Sequence, residues 1–222
     1  MTDVSTTHLP PIGNTGVEPT VTSVGWLAAS IRPEDQPPDP FGLARLCSEH
    51  APGGQAFGRA LKWYGRSIRH DAGLWVVGYE GVGSARGTLS VTVSQDGCDA
   101  APGLVLALLR LGMRASRLDL AGDVHDALAR PRSYFDRRTQ ARTRTNLARW
   151  TYLEAGDGRS TVTIGARSSD RYARIYDKGD GRVRHEVELK GELAAGVAGR
   201  LLAGEAVADL WRDQYGRLVQ WH

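Results

Sequence analysis

Alternation of apolar and polar positions organises the second half of the chain. In RLDLAGD (117–123), Leu118 and Leu120 fall on one side, and Asp119 and Asp123 on the other. In TVTIGAR (161–167), Val162 and Ile164 oppose Thr161, Thr163 and Gly165. In RYARIYDK (171–178), Ala173 and Ile175 share one side, while Tyr172, Arg174, Tyr176 and Lys178 share the other. In RVRHEVELK (182–190), Val183, Val187 and Leu189 alternate with Arg184, Glu186, Glu188 and Lys190. A period of two marks strands, because successive side chains point to opposite faces of a sheet.

The same reading places further strands at Val21–Ile31, Leu61–Arg69, Leu74–Tyr79, Thr88–Ser94, Ser116–Val124 and Trp150–Glu154. Helices are expected at Phe41–His50 and at Pro102–Met113, which has Pro in its first turn and Gly near its end. Two amphipathic helices, Glu192–Ala203 and Glu205–Tyr215, follow the last strand, and Arg132–Arg149 reads as helical in part. Residues 1–20, rich in Thr, Pro and Gly, read as a disordered tail. Many antiparallel strands with a few covering helices predict a single α+β domain over residues 21–222, with its core at about 60–200 and helices on one face of the sheet.

If these strands share a sheet, their polar faces converge. Asp119, Asp123, Glu186 and Glu188 would then lie near Tyr176 and Arg174. Neighbouring carboxylates repel unless they are protonated or hold a hard cation, so Mg²⁺ or Mn²⁺ is the economical expectation. Such an ion stabilises charge on a phosphoryl oxygen, and a tyrosine beside it can attack phosphorus. The plainer reading is the wet face of a half-covered sheet, with acids and arginines paired across strands.

Charge refines the picture modestly. Lys and Arg total 28 against 25 Asp and Glu, a net of +3, but Arg far outnumbers Lys. Arg forks match phosphates, although a GC-rich genome also favours Arg. The local excess is sharper: residues 130–149 carry Arg130, Arg132, Arg137, Arg138, Arg142, Arg144 and Arg149 against Asp136 alone. That is a candidate track for a nucleic-acid backbone, or else a solvated helix face. The two cysteines have no zinc-type spacing. No apolar run is long enough to span a membrane and no signal pattern opens the chain, so a cytoplasmic setting is the default expectation. None of the six histidines forms a His-x-His pair, and parity places His185 with Val187, away from the acids.

Four segments carry a family resemblance: SQDGC (94–98), RLDLAGD (117–123), TIGARSSDRYARIYDKG (163–179) and RHEVELKG (184–191). In this order and spacing they resemble the Rep_trans replication initiation factors, which include rolling-circle initiators of small plasmids, related phage proteins and some relaxases. The resemblance covers roughly residues 60 to 200. It implies a nicking domain distantly related to the HUH endonucleases, a metal held mainly by carboxylates, and a nucleophilic tyrosine in an R-x-Y-D/E-K strand. Carried onto this chain, the nucleophile is Tyr176, with Tyr172 the second choice or a stacking or packing residue. Arg174 and Lys178 would neutralise the scissile phosphate. Asp119 with Glu186 or Glu188 would hold the metal, and Asp123 is a less certain ligand because Gly122 could mark a bulge. Arg137, Arg138, Arg142, Arg144, Arg167 and Tyr172 would contact DNA. The implied substrate is single-stranded or hairpin origin DNA, cut through a 5′-phosphotyrosyl intermediate, with a second copy of the chain and a host helicase as candidate partners.

The chain departs from that family in one respect: nothing before residue 60 reads as the helix-turn-helix that members commonly carry. It also stops soon after the last amphipathic segment, as a piece of a longer parent would. Two rivals remain. Asp119 followed by Glu188-Leu189-Lys190 fits a metal nuclease with no covalent intermediate, and a non-catalytic single-strand binder would use the same tyrosines and arginines for stacking and backbone contacts.

Overall fold

The computed structural model describes residues 19–35, 39–125, 130–139, 143–145 and 149–221. The expected tail lies outside them except for its last two residues. Twelve strands and six α-helices are described: β1 (Val21–Ile31), α1 (Pro40–His50), β2 (Gln55–Leu61), β3 (Tyr64–His70), β4 (Trp75–Gly81), β5 (Leu89–Val93), α2 (Gln95–Ala100), α3 (Pro102–Arg110), β6 (Arg114–Val124), α4 (Pro131–Thr139), β7 (Thr143–Thr145), β8 (Trp150–Glu154), β9 (Ser160–Ile164), β10 (Arg171–Asp177), β11 (Val183–Lys190), α5 (Gly191–Leu202), α6 (Val207–Gly216) and β12 (Val219–Trp221).

Ten strands form one sheet in the order β2-β3-β4-β5-β1-β6-β11-β10-β9-β8, and β7 and β12 make a separate pair. Every pairing is antiparallel. The fold is therefore α+β, as the alternation predicts. The apolar faces of the strands meet helices α1, α3, α5 and α6 in one core that includes Leu27, Val91, Leu118, Val187, Leu108 and Trp211, all fully buried. Local chemistry sets the helix starts. Asp39 accepts hydrogen bonds from the amides of Phe41 and Gly42 ahead of α1, with Pro40 in its first turn. Ser94 accepts one from Gly97 ahead of α2.

Several expectations need correction. The run Leu61–Arg69 is not one strand: it contains a hairpin, with Leu61 paired to Tyr64 and Lys62–Trp63 as the turn. Trp63 takes the left-handed backbone (φ 76°) that such a turn requires, a place usually given to Gly or Asn, so the ordinary turn signal was missing. The alternation does not predict α2, β7, β12 or most of β2, and the described helix in the 132–149 stretch is α4, Pro131–Thr139. β6 and β11 keep unbroken register through Gly122, so Gly122 does not mark a bulge between them. It makes room for α6 instead: a Cβ there would stand 3.0 Å from Trp211 Cε2. His185 faces the helices, fully buried, its Nδ1 2.7 Å from the Tyr215 hydroxyl, a structural position as parity predicts. Among the described residues, no helix is long and apolar enough to cross a membrane.

Candidate active site

The polar faces of β6, β11 and β10 do converge. Register sets Asp119 opposite Glu188, Glu186 opposite Arg174, and Arg184 opposite both Asp123 and Tyr176. Across β6, Asp119 also pairs with Trp26 of β1. β5 leaves β1 after Val93, opposite Leu27, so among the described residues the first half of β1 has no strand on that side, and α2 begins there. Gln95 thereby reaches the site. The result is an open cleft of about 370 Å³ lined by Trp26, Gln95, Arg117, Asp119, Arg174, Tyr176 and Glu186 among others.

Asp119, Glu186 and Glu188 meet at one atom. Nη2 of Arg174 bonds Glu186 Oε1 and lies 3.2 Å from Asp119 Oδ2 and 3.6 Å from Glu188 Oε2. Arg117 grips Asp119 through two hydrogen bonds of 2.8 and 2.5 Å and reaches Glu188 at 3.0 Å. Lys190 Nζ lies 2.8 Å from Glu188. Three acids thus face three cations, and all three acids are buried. Burial, with Glu186 and Glu188 nearby, pushes the Asp119 carboxyl up to about 7, although Arg117 pulls the other way. For Glu188 burial is outweighed by Lys190, Arg117 and Arg174, which hold it below its ordinary value.

Tyr176 stands beside this group. Its hydroxyl donates to Glu186 Oε2 at 3.1 Å and approaches Gln95 Oε1 at 3.4 Å. Burial and the Glu186 charge hold the phenol above its usual range, and Arg184 and Arg174 offset this only in part. Asp123, four residues and about 13 Å along β6 from Asp119, belongs to a different cluster. Arg184 holds it with bonds of 2.6 and 2.8 Å, and Arg182 and Lys178 lie 3.3 and 3.5 Å away. Those cations outweigh burial and keep Asp123 below its ordinary value. Arg184 is itself buried, and its Nη1 has no hydrogen-bond partner among the described residues.

The structure therefore gathers Asp119, Glu186, Glu188, Arg174 and Tyr176, and places Lys178 and Asp123 one step away. Tyr172 is on the same face but 5% exposed, with the Arg174 guanidinium 5.9 Å from its ring centroid, a packing position. Arg167 is exposed in the β9–β10 turn, where its carbonyl accepts from Lys190. Arg142 lies outside the described residues, as do the side chains of Arg137, Arg138 and Arg144. Arg117 and Arg184 were readable from strand parity and were passed over. Gln95 arrives from a distant helix, and only its place in SQDGC marked it.

The carboxylates suit a hard cation in kind, being three oxygen donors aimed at one point. As the side chains stand, the Arg174 nitrogen holds that point. Among the described residues no His, Cys, Asp and Glu group is arranged to hold a metal. Repulsion among the acids, from which a metal was expected, is here relieved by arginine and lysine.

No family model matches the chain, and no curated protein matches it. A solved structure does: the rolling circle replication initiator protein from Geobacillus stearothermophilus, with a TM-score of 0.74 and 16% identity, covering 90% of this chain and 86% of that one. The chain shares the fold of that protein. Within this shared fold, the cleft holding Tyr176 and the acids lies on the sheet face opposite the main helix layer.

Proposed function

We propose that this chain starts rolling-circle replication or strand transfer of a phage, plasmid or mobile element, by nicking and rejoining one strand of single-stranded or hairpin origin DNA. The observation that carries this reading is the Tyr176 hydroxyl, aimed at Glu186 in an open cleft that also holds two guanidiniums. Tyr176 attacks the scissile phosphorus, and its phenolic proton passes to Glu186 Oε2. A new bond joins the Tyr176 oxygen to phosphorus and the bond to the 3′ oxygen breaks. The 5′ phosphate stays on Tyr176, and the proton on Glu186 returns to the departing 3′ hydroxyl. Attack by a 3′ hydroxyl on the phosphotyrosine reverses the sequence and rejoins the strand. Arg117 and Arg174 face the phosphate and offset its growing charge. Lys178 and Arg184 supply positive charge from the Asp123 side, next to the phenol.

Asp119, Glu186 and Glu188 are the residues that would hold Mg²⁺ or Mn²⁺, once Arg174 swings from the point where they meet. When bound, the ion would draw charge from a non-bridging phosphate oxygen.

A labelled single-stranded oligonucleotide carrying the origin hairpin tests the reading. Wild-type protein should form an adduct that survives denaturation, needs Mg²⁺ or Mn²⁺ and is lost with chelator. Tyr176→Phe should abolish the adduct with an unchanged melting temperature. Cutting without adduct would favour the metal nuclease built on Asp119, Glu188 and Lys190, and binding with neither would favour a single-strand binder.

A further inference from the structure

Beside the cleft that holds Tyr176 lies a groove that the proposed chemistry does not use. Two adjoining clefts of about 380 and 480 Å³ share Ser30, Trp63, Tyr64, Ala85 and Ser116. Their floor is the same face of the central strands: Ala28 and Ser30 of β1, and Ser90 and Thr92 of β5, in register with one another. Ala28 pairs in turn with Arg117, which lines the catalytic cleft, so the groove floor and the cleft are neighbours on one sheet. Small side chains keep this floor low. The β2–β3 hairpin forms a wall over it, because Gly78 lets Leu61 and Tyr64 rest on the sheet, each 3.0 Å from where a Cβ would stand. Tyr64 is pinned there by a 2.8 Å hydrogen bond to Thr88. The opposite wall is the β11–α5 junction, Gly191 and Glu192.

At the hairpin tip Trp63 is 53% exposed, with the Lys62 ammonium 5.4 Å from its ring centroid. Lys62 is exposed and has no acidic partner among the described residues. A large aromatic ring normally buries itself, and this one stands out at a turn with a cation over its face, lining a groove beside the proposed phosphate-transfer site. Arg32 and Arg114 line the groove further on, in exposed ion pairs with Glu34 and Glu192 that a phosphate can replace at little cost.

We propose that this groove holds the DNA strand on one flank of the scissile phosphate, with a base stacked on Trp63 and the backbone drawn along Lys62, Arg32 and Arg114. The inference rests on the nicking reading for its substrate class. The chemistry is the usual one for single strands: an aromatic platform that accepts any base, beside cations that track the backbone.

Binding measured in chelator separates the two ideas, since no cutting occurs. The probe is a fluorescent oligothymidylate, with an iodouracil-substituted copy for photocrosslinking. Trp63→Ala should weaken binding roughly 5- to 150-fold, the range for losing one stacked base. Trp63→Phe should keep most of the affinity, and the crosslink should map to the peptide containing Trp63. Unchanged affinity in Trp63→Ala with no crosslink at the tip would overturn the proposal and leave the groove to a protein partner. If wild type binds through Trp63 yet never forms an adduct on origin DNA, the groove stands and the nicking reading falls. If adduct forms and Trp63→Ala binds as wild type, the reverse holds.

Discussion

Asp119 carries two consequences of being buried among like charges. Its carboxyl titrates near 7 in the fold, against 3.8 for the ordinary group. A group that binds its proton more tightly when folded adds stability that is complete below about pH 4 and is lost as pH rises through about 7. Asp119's own contribution to the melting temperature of the metal-free protein in chelator should therefore be lost between pH 4 and 7, so wild type should lose stability relative to Asp119→Asn across that window; a constant difference between the two would remove Asp119 as a source of pH dependence. The second consequence concerns Arg174, whose Nη2 holds the point shared by the three acids. Removing a unit charge a few ångströms away is worth on the order of several kcal/mol at the effective dielectric of proteins. Arg174→Gln should then bind Mn²⁺ at least about tenfold more tightly in a titration followed by electron paramagnetic resonance, even as nicking falls. Equal affinity would mean that Arg174 and the ion do not compete.

At the scale of elements, strand parity was the most legible feature. It placed Tyr176, Arg174, Glu186, Glu188 and Asp119 on one face, because a buried helix layer forces apolar residues to the other side. The turn at Lys62–Trp63 was not legible: its left-handed position carries a tryptophan, and Leu61–Arg69 kept strand-like composition through it. Nor did parity reveal that Asp123 is held by Arg184, Lys178 and Arg182 instead of joining the other acids, since that depends on which strands become neighbours. α6 docks where β6 lacks a side chain. Gly122→Ala would push a methyl against Trp211 Cε2 at 3.0 Å and Pro19 Cβ at 2.9 Å. Overpacking of this kind costs about 1–3 kcal/mol, so chemical denaturation should give a lower midpoint for Gly122→Ala. An unchanged midpoint would mean that α6 shifts freely on the sheet.

For the molecule as a whole, the polar sheet face is open where Tyr176, the proposed nucleophile, stands. A single strand can lay one phosphate there, whereas duplex DNA must first unpair. Single-stranded or hairpin DNA should be cut far better than relaxed linear duplex, with supercoiling rescuing the duplex. Replacing the arginines at 137, 138, 142 and 144 should weaken binding to all sequences alike and flatten its salt dependence. A binding isotherm repeated across salt concentrations checks this, and an unchanged slope would take that segment out of the DNA path. The central claim is narrower: one tyrosine oxygen becomes bonded to DNA. The most direct measurement is to trap the protein on single-stranded origin DNA, digest both, and find by mass spectrometry the peptide that carries the nucleotide. The account predicts a phosphodiester to Tyr176. A nucleotide on Tyr172 or another residue, or DNA cut with no modified peptide, would contradict it.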